Sequence, residues 1–223
     1  MERSERARGF ARVPDSIGEH IGFDHLLDAF AEGEALVANT SVHGIELSYE
    51  EAAEATFDTV LFRSCQFEGV DFSGCTFRDV RFESCRFIRC SMERAWLDRC
   101  DFSSCSAPGL NLLSARLAGV SIVDSDFSFA NLSETSVDRL RVISSRLREA
   151  AFQSARLKRC EFSQSDLTRM DVFRTPLKGV DVSSCQFAAP VLSSDHRELR
   201  GLVVSPAQAL ELVGLLGVVI SDE

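Results

Sequence analysis

The chain has 223 residues, of which 45% are apolar, and a formal net charge of −10 at pH 7. It contains no apolar run of about 18 residues, which excludes a membrane-spanning helix. Its charged start, MERSERARGF, is not followed by the apolar core of a secretory signal. We therefore expect a cytoplasmic protein without a membrane partner, in which the eight cysteines remain thiols.

Residues 1–54 are predicted to form an N-terminal flexible segment and cap. Apolar residues recur at the i, i+3, i+4, i+7 spacing of a short amphipathic helix: Phe23, Leu26, Leu27 and Phe30. Residues 35–54 keep the later rhythm only in part, so we expect an irregular first turn or strand cap there. The first fifteen residues are expected to be loose, and the order of residues 1–34 stays open.

Residues 55–194 repeat with a period of five. From Phe57 onward every fifth residue is large and apolar as far as Leu192, except at Ala107. Two positions before each of these lies a small or apolar residue. All eight cysteines occupy this second position: Cys65, Cys75, Cys85, Cys90, Cys100, Cys105, Cys160 and Cys185.

A period of five matches neither the 3.6-residue period of a helix nor the alternation of a strand. It indicates a solenoid in which four five-residue sides close one coil, so that residue n stacks on residue n+20. Twenty-eight units predict about seven coils and a length of roughly 34 Å at the usual strand spacing. The predicted core ladder includes Phe62, Phe67, Phe72, Phe77, Phe82, Phe87, Phe102, Phe127, Phe152 and Phe162.

Charged residues support this register. Between residues 55 and 194 lie 17 acidic and 18 basic residues, and none occupies either inward position, as the cost of burying charge requires. Glycines recur at the last position of units, where a corner needs a positive φ: Gly69, Gly74, Gly109, Gly119 and Gly179.

Residues 195–223 are predicted to form a C-terminal cap helix and strand. Ser205 to Gln208 form a capping box with proline at the first helical position, and the helix should run to about Leu216 and end at Gly217. A helix that is apolar nearly all round must be buried, so it is expected to cover the last coil. A following strand could pair with a second copy. The predicted cap and dimer residues are Leu210, Leu212, Val213, Leu215, Leu216, Val218 and Ile220.

No catalytic, cofactor or metal-binding constellation is found, so the sequence does not predict an enzyme. The four histidines lie outside the repeats, and the closest cysteine pairs are five residues apart rather than in the Cys-x2-Cys spacing of zinc sites. Cys65, Cys85 and Cys105 should stack at a distance compatible with a disulfide. The alternative is that cysteine simply fills a narrow core, and the redox state of the three stays open.

The stretches CDFSSC, SDFSFANLS and CEFSQSDL are variants of an A(D/N)Lxx motif, and residues 55–194 resemble the pentapeptide repeat family. The resemblance implies an all-β fold, a right-handed quadrilateral β-helix. The ends, LRGLVVS followed by LLGVVI, look like the tail of the quinolone-resistance (Qnr-type) subgroup, and two mid-rod segments, 101–110 and 125–133, are similar to it. This implies a dimeric rod that mimics DNA and binds DNA gyrase or topoisomerase IV. The unbroken register predicts no projecting loops and leaves open whether such a protein protects or inhibits the enzyme.

The acidity lies mainly outside the repeats. Residues 1–54 carry a charge of −8, residues 195–223 carry −3 and the repeats carry +1. A negative rod could bind a protein site built for phosphates, and the candidate partner surface consists of Asp71, Asp101, Asp124, Asp126, Glu161, Asp171 and Asp181. The near-neutral repeats keep a second interpretation open, a β-helical protein-interaction scaffold of unknown partner. Nucleic-acid binding through a basic patch near Arg156 is disfavoured by the net charge, so no direct nucleic-acid partner is expected.

Overall fold

The computed structural model describes residues 9–11, 14, 17–18, 20–31, 35–215 and 217–219. This part of the chain is a parallel β-solenoid with a short helix near each end. The strands are β1 (Leu36–His43), β2 (Glu46–Ser48), β3 (Thr56–Arg63), β4 (Gln66–Glu68), β5 (Thr76–Glu83), β6 (Arg86–Ile88), β7 (Trp96–Ser103), β8 (Arg116–Val123), β9 (Ser136–Ile143), β10 (Arg156–Lys158) and β11 (Glu161–Ser163). The α-helices are α1 (Phe23–Ala31) and α2 (Pro206–Gly214), both of which were predicted, and a short 3-10 helix covers Arg197–Leu199.

The strands stack in the predicted 20-residue register. The order β1–β3–β5–β7–β8–β9–β10 forms one sheet, with β11 also on β9, and β2–β4–β6 form a second. Phe62 pairs with Phe82 and Phe82 with Phe102. We name the four sides after their first core residue: the first face has the Phe57 ladder, the second Phe62, the third Phe67 and the fourth Phe72.

The coil stack begins earlier than the predicted boundary at residue 55. Leu36 pairs with Thr56 and Val42 with Phe62, in the same register as later coils. Residues 35–54 are therefore a full coil rather than an irregular cap. Their rhythm is obscured because Glu50, which is only half-buried, occupies an inward position that holds Val70 in the next coil.

All ten phenylalanines of the core ladder are at most 5% exposed. Rings in the same ladder stack with nearly parallel planes: the Phe82 ring centroid lies 5.1 Å from that of Phe62 and 4.8 Å from that of Phe102. Rings on adjacent faces meet edge to face, as Phe82 and Phe87 do at 5.3 Å. Both arrangements are the ones aromatic pairs prefer.

The corners have the predicted positive φ at glycines, such as 62° at Gly69 and 73° at Gly119. The same backbone also occurs at many other residue types, including Ser84, Arg99 and Arg139. The left-handed region is disfavoured for these residues. The coil geometry imposes it because every corner must turn in the same way to keep the 20-residue register.

The C-terminal cap differs in part from the prediction. After residue 194 the chain adds a further partial turn, in which Val203 pairs with Asp181 at a separation of 22 residues instead of 20. Helix α2 starts with the predicted capping box, since Ser205 accepts from the Gln208 amide and Gln208 from the Ser205 amide. It ends at Gly214, earlier than expected, and Val218 and Val219 do not form a strand. Leu216 and Ile220 lie outside the described residues.

Candidate protein-interaction surfaces

The predicted partner residues lie on several faces of the solenoid. Asp71 and Asp171 belong to the fourth face and Asp126 to the third, with Asp124 at the corner between the second and third faces. Asp101, Glu161 and Asp181 share one outward ladder of the second face. The structure therefore does not gather the seven acids into one surface.

Most acids inside the stack are paired with an arginine of a neighbouring coil. Arg99 binds Asp79 through two hydrogen bonds of 2.8 and 2.6 Å, and Arg63 lies 2.8 Å from Glu83. The pairs Arg141–Glu161 and Arg146–Asp126, at 3.1 and 3.0 Å, involve two of the predicted partner residues. These contacts neutralise the faces, although exposed pairs of this kind add only about 0–1 kcal/mol each to stability.

Local hydrogen bonds also engage the predicted acids. Burial acts to raise the pKa of Asp126, but hydrogen bonds from Ser128 and Arg146 outweigh it and hold that pKa below its ordinary value. The Asp171 carboxylate accepts from the Phe173 amide at 3.0 Å and from Gln153 at 2.6 Å. Asp181 is fully exposed, and hydrogen bonds from the Ser183 side chain and amide lower its pKa.

The first coil carries the densest unpaired negative charge. Residues 35–54 contain Glu46, Glu50, Glu51 and Glu54 and no lysine or arginine. Three of these side chains are exposed and Glu50 is half-buried. Asp71 pairs with Glu51 in the bridge to the next coil. Within the described residues none of these five acids has an ion pair, and together they form what we call the acidic coil surface. Only Asp71 of this set was predicted.

The basic patch at the other end is partly neutralised. Arg159 donates to Asp138 through its Nε at 2.8 Å and also through Nη2. That hydrogen bond is the main cause that lowers the pKa of Asp138. Arg156, Lys158 and Lys178 remain exposed around it.

The cysteines are free thiols inside the stack. Six are buried and two, Cys160 and Cys185, are intermediate. Burial raises the pKa of Cys75 to about 12 and that of Cys160 to about 11. Such thiols are protonated at neutral pH and poorly suited to nucleophilic or metal chemistry. Among the described residues no group of three metal-ligating side chains occurs.

Two elements at the ends had no clear signal in the sequence. Glu198 is 3% exposed and its carboxylate accepts from the Arg174 amide at 2.8 Å and from the Ser193 hydroxyl at 2.8 Å. It holds the last partial turn against the coil before it. The other element is the N-terminal segment, whose described residues Gly9, Phe10, Ala11 and Gly18 contact the outside of the solenoid.

Helix α2 is less buried than its composition predicts. Gln208 is its only buried residue with a described side chain, and it donates through Nε2 to the carbonyls of Val182 and Cys185 at 2.9 and 2.8 Å. Leu212 packs against the core. Leu210 is 58% exposed and Val219, after the helix, 92% exposed. One side of the helix covers the last turn, and the other side leaves apolar surface in water.

These features define a class: a parallel β-solenoid with four five-residue sides per coil. A family model described as pentapeptide repeats matches residues 65–103 and 145–169 in eight copies. The matched coils are therefore pentapeptide repeats. No described helix has the length and apolarity needed to cross a bilayer.

Solved structures of similar proteins include QnrB1, a plasmid-mediated fluoroquinolone resistance protein. A trypsin-treated form of it shares 19% identity over 96% of this chain and 99% of that chain, with a TM-score of 0.44. HetL, a pentapeptide repeat protein involved in heterocyst differentiation regulation in the cyanobacterium Nostoc sp. strain PCC 7120, shares 17% identity over 83% of this chain and 94% of that chain, with a TM-score of 0.35. No curated protein sequence matches the chain.

Proposed function

We propose that this protein is a non-enzymatic binding rod of the cytoplasm that mimics the charge of duplex DNA and modulates a bacterial type II topoisomerase, DNA gyrase or topoisomerase IV, with a link to fluoroquinolone resistance. The observation that carries the proposal is the acidic coil surface. Four of its carboxylates lie on the first coil, and the fifth, that of Asp71, lies on the next coil opposite Glu51, about 4.8 Å further along the stack. A protein site that accepts DNA phosphates would attract such a surface. The resemblance of the C-terminal tail to Qnr-type proteins supports the choice of enzyme.

The test is a gyrase supercoiling assay, with and without a fluoroquinolone, in which the purified protein is titrated. We expect the wild type to change at least one of the two curves. The triple variant Glu51→Gln, Glu54→Gln, Asp71→Asn should need roughly tenfold more protein, because about 1.4 kcal/mol corresponds to a factor of ten. Raising the salt concentration should weaken the wild-type effect.

The matched control removes charge elsewhere. Glu134 and Glu211 are exposed acids outside both the acidic coil surface and the predicted partner residues, and neither has an ion pair among the described residues. The variant Glu134→Gln, Glu211→Gln should therefore retain activity within about twofold, since distant surface charges are screened. A wild-type protein that changes neither supercoiling curve would overturn the proposal.

A second copy of the chain is the other partner we propose. Leu210 and Val219 expose apolar surface in the C-terminal region, and Val213, one turn after Leu210 on the same helix, is half-buried. Exposed apolar surface of this kind is typical of an interface between subunits. Leu210→Glu should convert a dimer to a monomer in sedimentation equilibrium, while Glu211→Gln on the same helix should not. A monomeric wild type at tens of micromolar would contradict the dimer.

The alternative is a protein-interaction scaffold with a different partner. The observation that favours it is the pairing of acids with arginines across the middle coils, which leaves little net charge to imitate DNA. A pull-down from the native cytosol distinguishes the two proposals. Recovery of gyrase subunits alone would count against the scaffold, and recovery of another protein at stoichiometric level without gyrase would favour it.

A further inference from the structure

Several described residues before α1 contact the outside of the solenoid along the corner between the first and second faces. The surface beneath them consists of two adjacent outward ladders, which we call the corner groove. One ladder is formed by the corner residues Asn39, Thr59, Asp79, Arg99, Gly119 and Arg139, and the other by Ser41, Leu61, Arg81, Asp101, Ser121 and Arg141.

One anchor of the segment lies at the first coil. His20 forms a parallel β-bridge with Ser41, and the Ile21 amide donates to the Ser41 carbonyl at 3.1 Å. Gly18 packs so closely on Asn39 that a Cβ at residue 18 would overlap the Asn39 carbonyl oxygen. The contact is made by backbone, as in the addition of a strand to a sheet edge.

The second anchor lies four coils further along. The carbonyl oxygen of Gly9 rests on Gly119, where a Cβ would overlap it. The Phe10 ring lies over the Arg141 guanidinium, with 4.2 Å between the ring centroid and Cζ, in the geometry of a cation–π contact. The Ala11 backbone hydrogen-bonds the Asp101 carboxylate.

The span between the anchors fits an extended chain. Four coils at about 4.8 Å each amount to roughly 19 Å, and the nine residues from Gly9 to Gly18 can reach about 30 Å. Two outward positions of the corner groove are covered: Leu61, between the anchors, is 1% exposed, and Ser121, at the second anchor, is 8% exposed.

The described contacts of residues 9–11 and 18 are made with outward positions of the coils. Ile21, by contrast, packs against the core and fixes the end of the segment that leads into α1. Residues before it can therefore leave the groove without disturbing the coils, whose core lies on the inner side of the strands.

We infer that the corner groove is a docking surface for an extended polypeptide, and that the segment to which Gly9, Phe10, Ala11 and Gly18 belong occupies it as a detachable arm, tethered at Ile21, that shields it from other partners. A competing segment would have to place a backbone carbonyl over Gly119 and an aromatic ring over Arg141. This inference concerns a different surface from the acidic coil surface and does not rest on topoisomerase binding.

Gly119→Asn tests the docking of the arm. Asparagine tolerates the positive φ of 73° at this corner, but its Cβ would collide with the Gly9 carbonyl. The matched control is Gly179→Asn, on the same corner ladder with φ 79° and open space around a Cβ. Hydrogen exchange of the amides of Phe10 and Ala11 should lose at least tenfold protection in Gly119→Asn and remain unchanged in Gly179→Asn, while the amides of β3 and β5 stay protected in both. Unchanged protection of Phe10 and Ala11 in Gly119→Asn would overturn the inference.

A peptide added in trans tests the groove as a docking surface. The double variant Phe10→Ala, Gly18→Asn weakens both anchors of the chain's own arm and leaves the coils intact. A fluorescent peptide with the sequence of residues 7–20 should bind this variant, as measured by anisotropy, and bind at least tenfold more weakly when Gly119→Asn is added. Because a tethered arm has a millimolar effective concentration, the wild type should bind the peptide weakly. Absence of binding to the double variant at millimolar peptide, or equal binding after Gly119→Asn, contradicts the inference.

Discussion

The Sγ of Cys105 donates to the carbonyl oxygen of Phe82, 23 residues earlier, at a distance of 3.2 Å. The next two coils have serine at this position, and Ser125 Oγ and Ser145 Oγ lie 3.4 and 3.3 Å from the Phe102 and Ile122 carbonyl oxygens. Their shorter hydrogen bonds run to the Val123 and Ile143 carbonyls of the same coil, at 2.7 and 2.8 Å. Cysteine and serine are thus both small residues that hydrogen-bond backbone carbonyls at this inward position.

The first prediction concerns this interchange. Cys105→Ser should change the free energy of unfolding by less than about 1 kcal/mol, because a hydroxyl can make the same hydrogen bond. Cys105→Leu should cost about 1–3 kcal/mol, because extra volume is forced into a packed core. Urea unfolding followed by circular dichroism measures both. A serine variant as unstable as the leucine variant would contradict the shared role.

The phenylalanine ladder allows a comparison of matched core positions. Phe82 contacts four other rings, those of Phe62, Phe77, Phe87 and Phe102. Phe152 is equally buried but makes no ring contact within the described residues. Phe82→Leu should therefore lose about 0.5–1.5 kcal/mol more stability than Phe152→Leu, the usual contribution of aromatic pairing beyond burial. Equal losses in urea unfolding would show that the rings act only through their volume.

Glu198 should make stability depend on pH. Burial acts to raise its pKa, but hydrogen bonds from its own amide, Ser193 and the Arg174 amide outweigh this and lower the pKa below its ordinary value. A carboxyl with a lowered pKa in the folded state stabilises above its unfolded pKa, and this contribution is lost as the pH falls through the folded pKa. Glu198→Gln should lose about 1–3 kcal/mol at pH 7, and the difference from wild type should shrink toward pH 3. The exposed Glu211→Gln serves as control. A stability difference between Glu198→Gln and wild type that persists at pH 3 would show that the ionised carboxylate of Glu198 is not its cause.

Docking of the N-terminal arm should also depend on pH. Low pH should strengthen the docking, whereas it removes the stabilising contribution of Glu198. Burial raises the pKa of Asp101 to about 6, while Arg81 and Arg141 act against it and Asp79 adds to it. The Ala11 backbone, which hydrogen-bonds the carboxylate, also acts to lower this pKa. We expect the carboxyl of Asp101 to have a pKa closer to its ordinary value once the arm has left and water reaches it. Docking is then favoured at low pH, and this preference is lost as the pH rises through about 6. Hydrogen-exchange protection factors of Phe10 and Ala11 should therefore be higher at pH 5 than at pH 8, and Asp101→Asn should abolish the difference. A pH dependence that persists in Asp101→Asn would assign it to another group.

The period of five was enough to predict the solenoid, the 20-residue register and the buried positions of Phe62, Phe82 and Phe102. Burying a charge is unfavourable and burying a phenylalanine is favourable at each single position. Inward positions are therefore recognisable in the sequence, because they hold apolar residues and no charged ones. The capping box of Ser205 and Gln208 could also be predicted from the sequence, because the start of a helix depends on residues only a few positions apart.

Only the tertiary structure decided the rest. Residues 35–54 form a full coil because strand pairing with residues 56–63 overrides the half-buried Glu50. Arginine and serine adopt the left-handed backbone conformation at corners because the 20-residue register requires it. In the sequence, only glycine would have indicated a positive φ at these positions. The docking of Gly9 on Gly119 and the burial of Glu198 under the last turn join groups that no repeat pattern relates. The sequence by itself determined which residues face inward, because that preference is local, whereas the arm and the cap depend on surfaces that exist only once the coils have stacked.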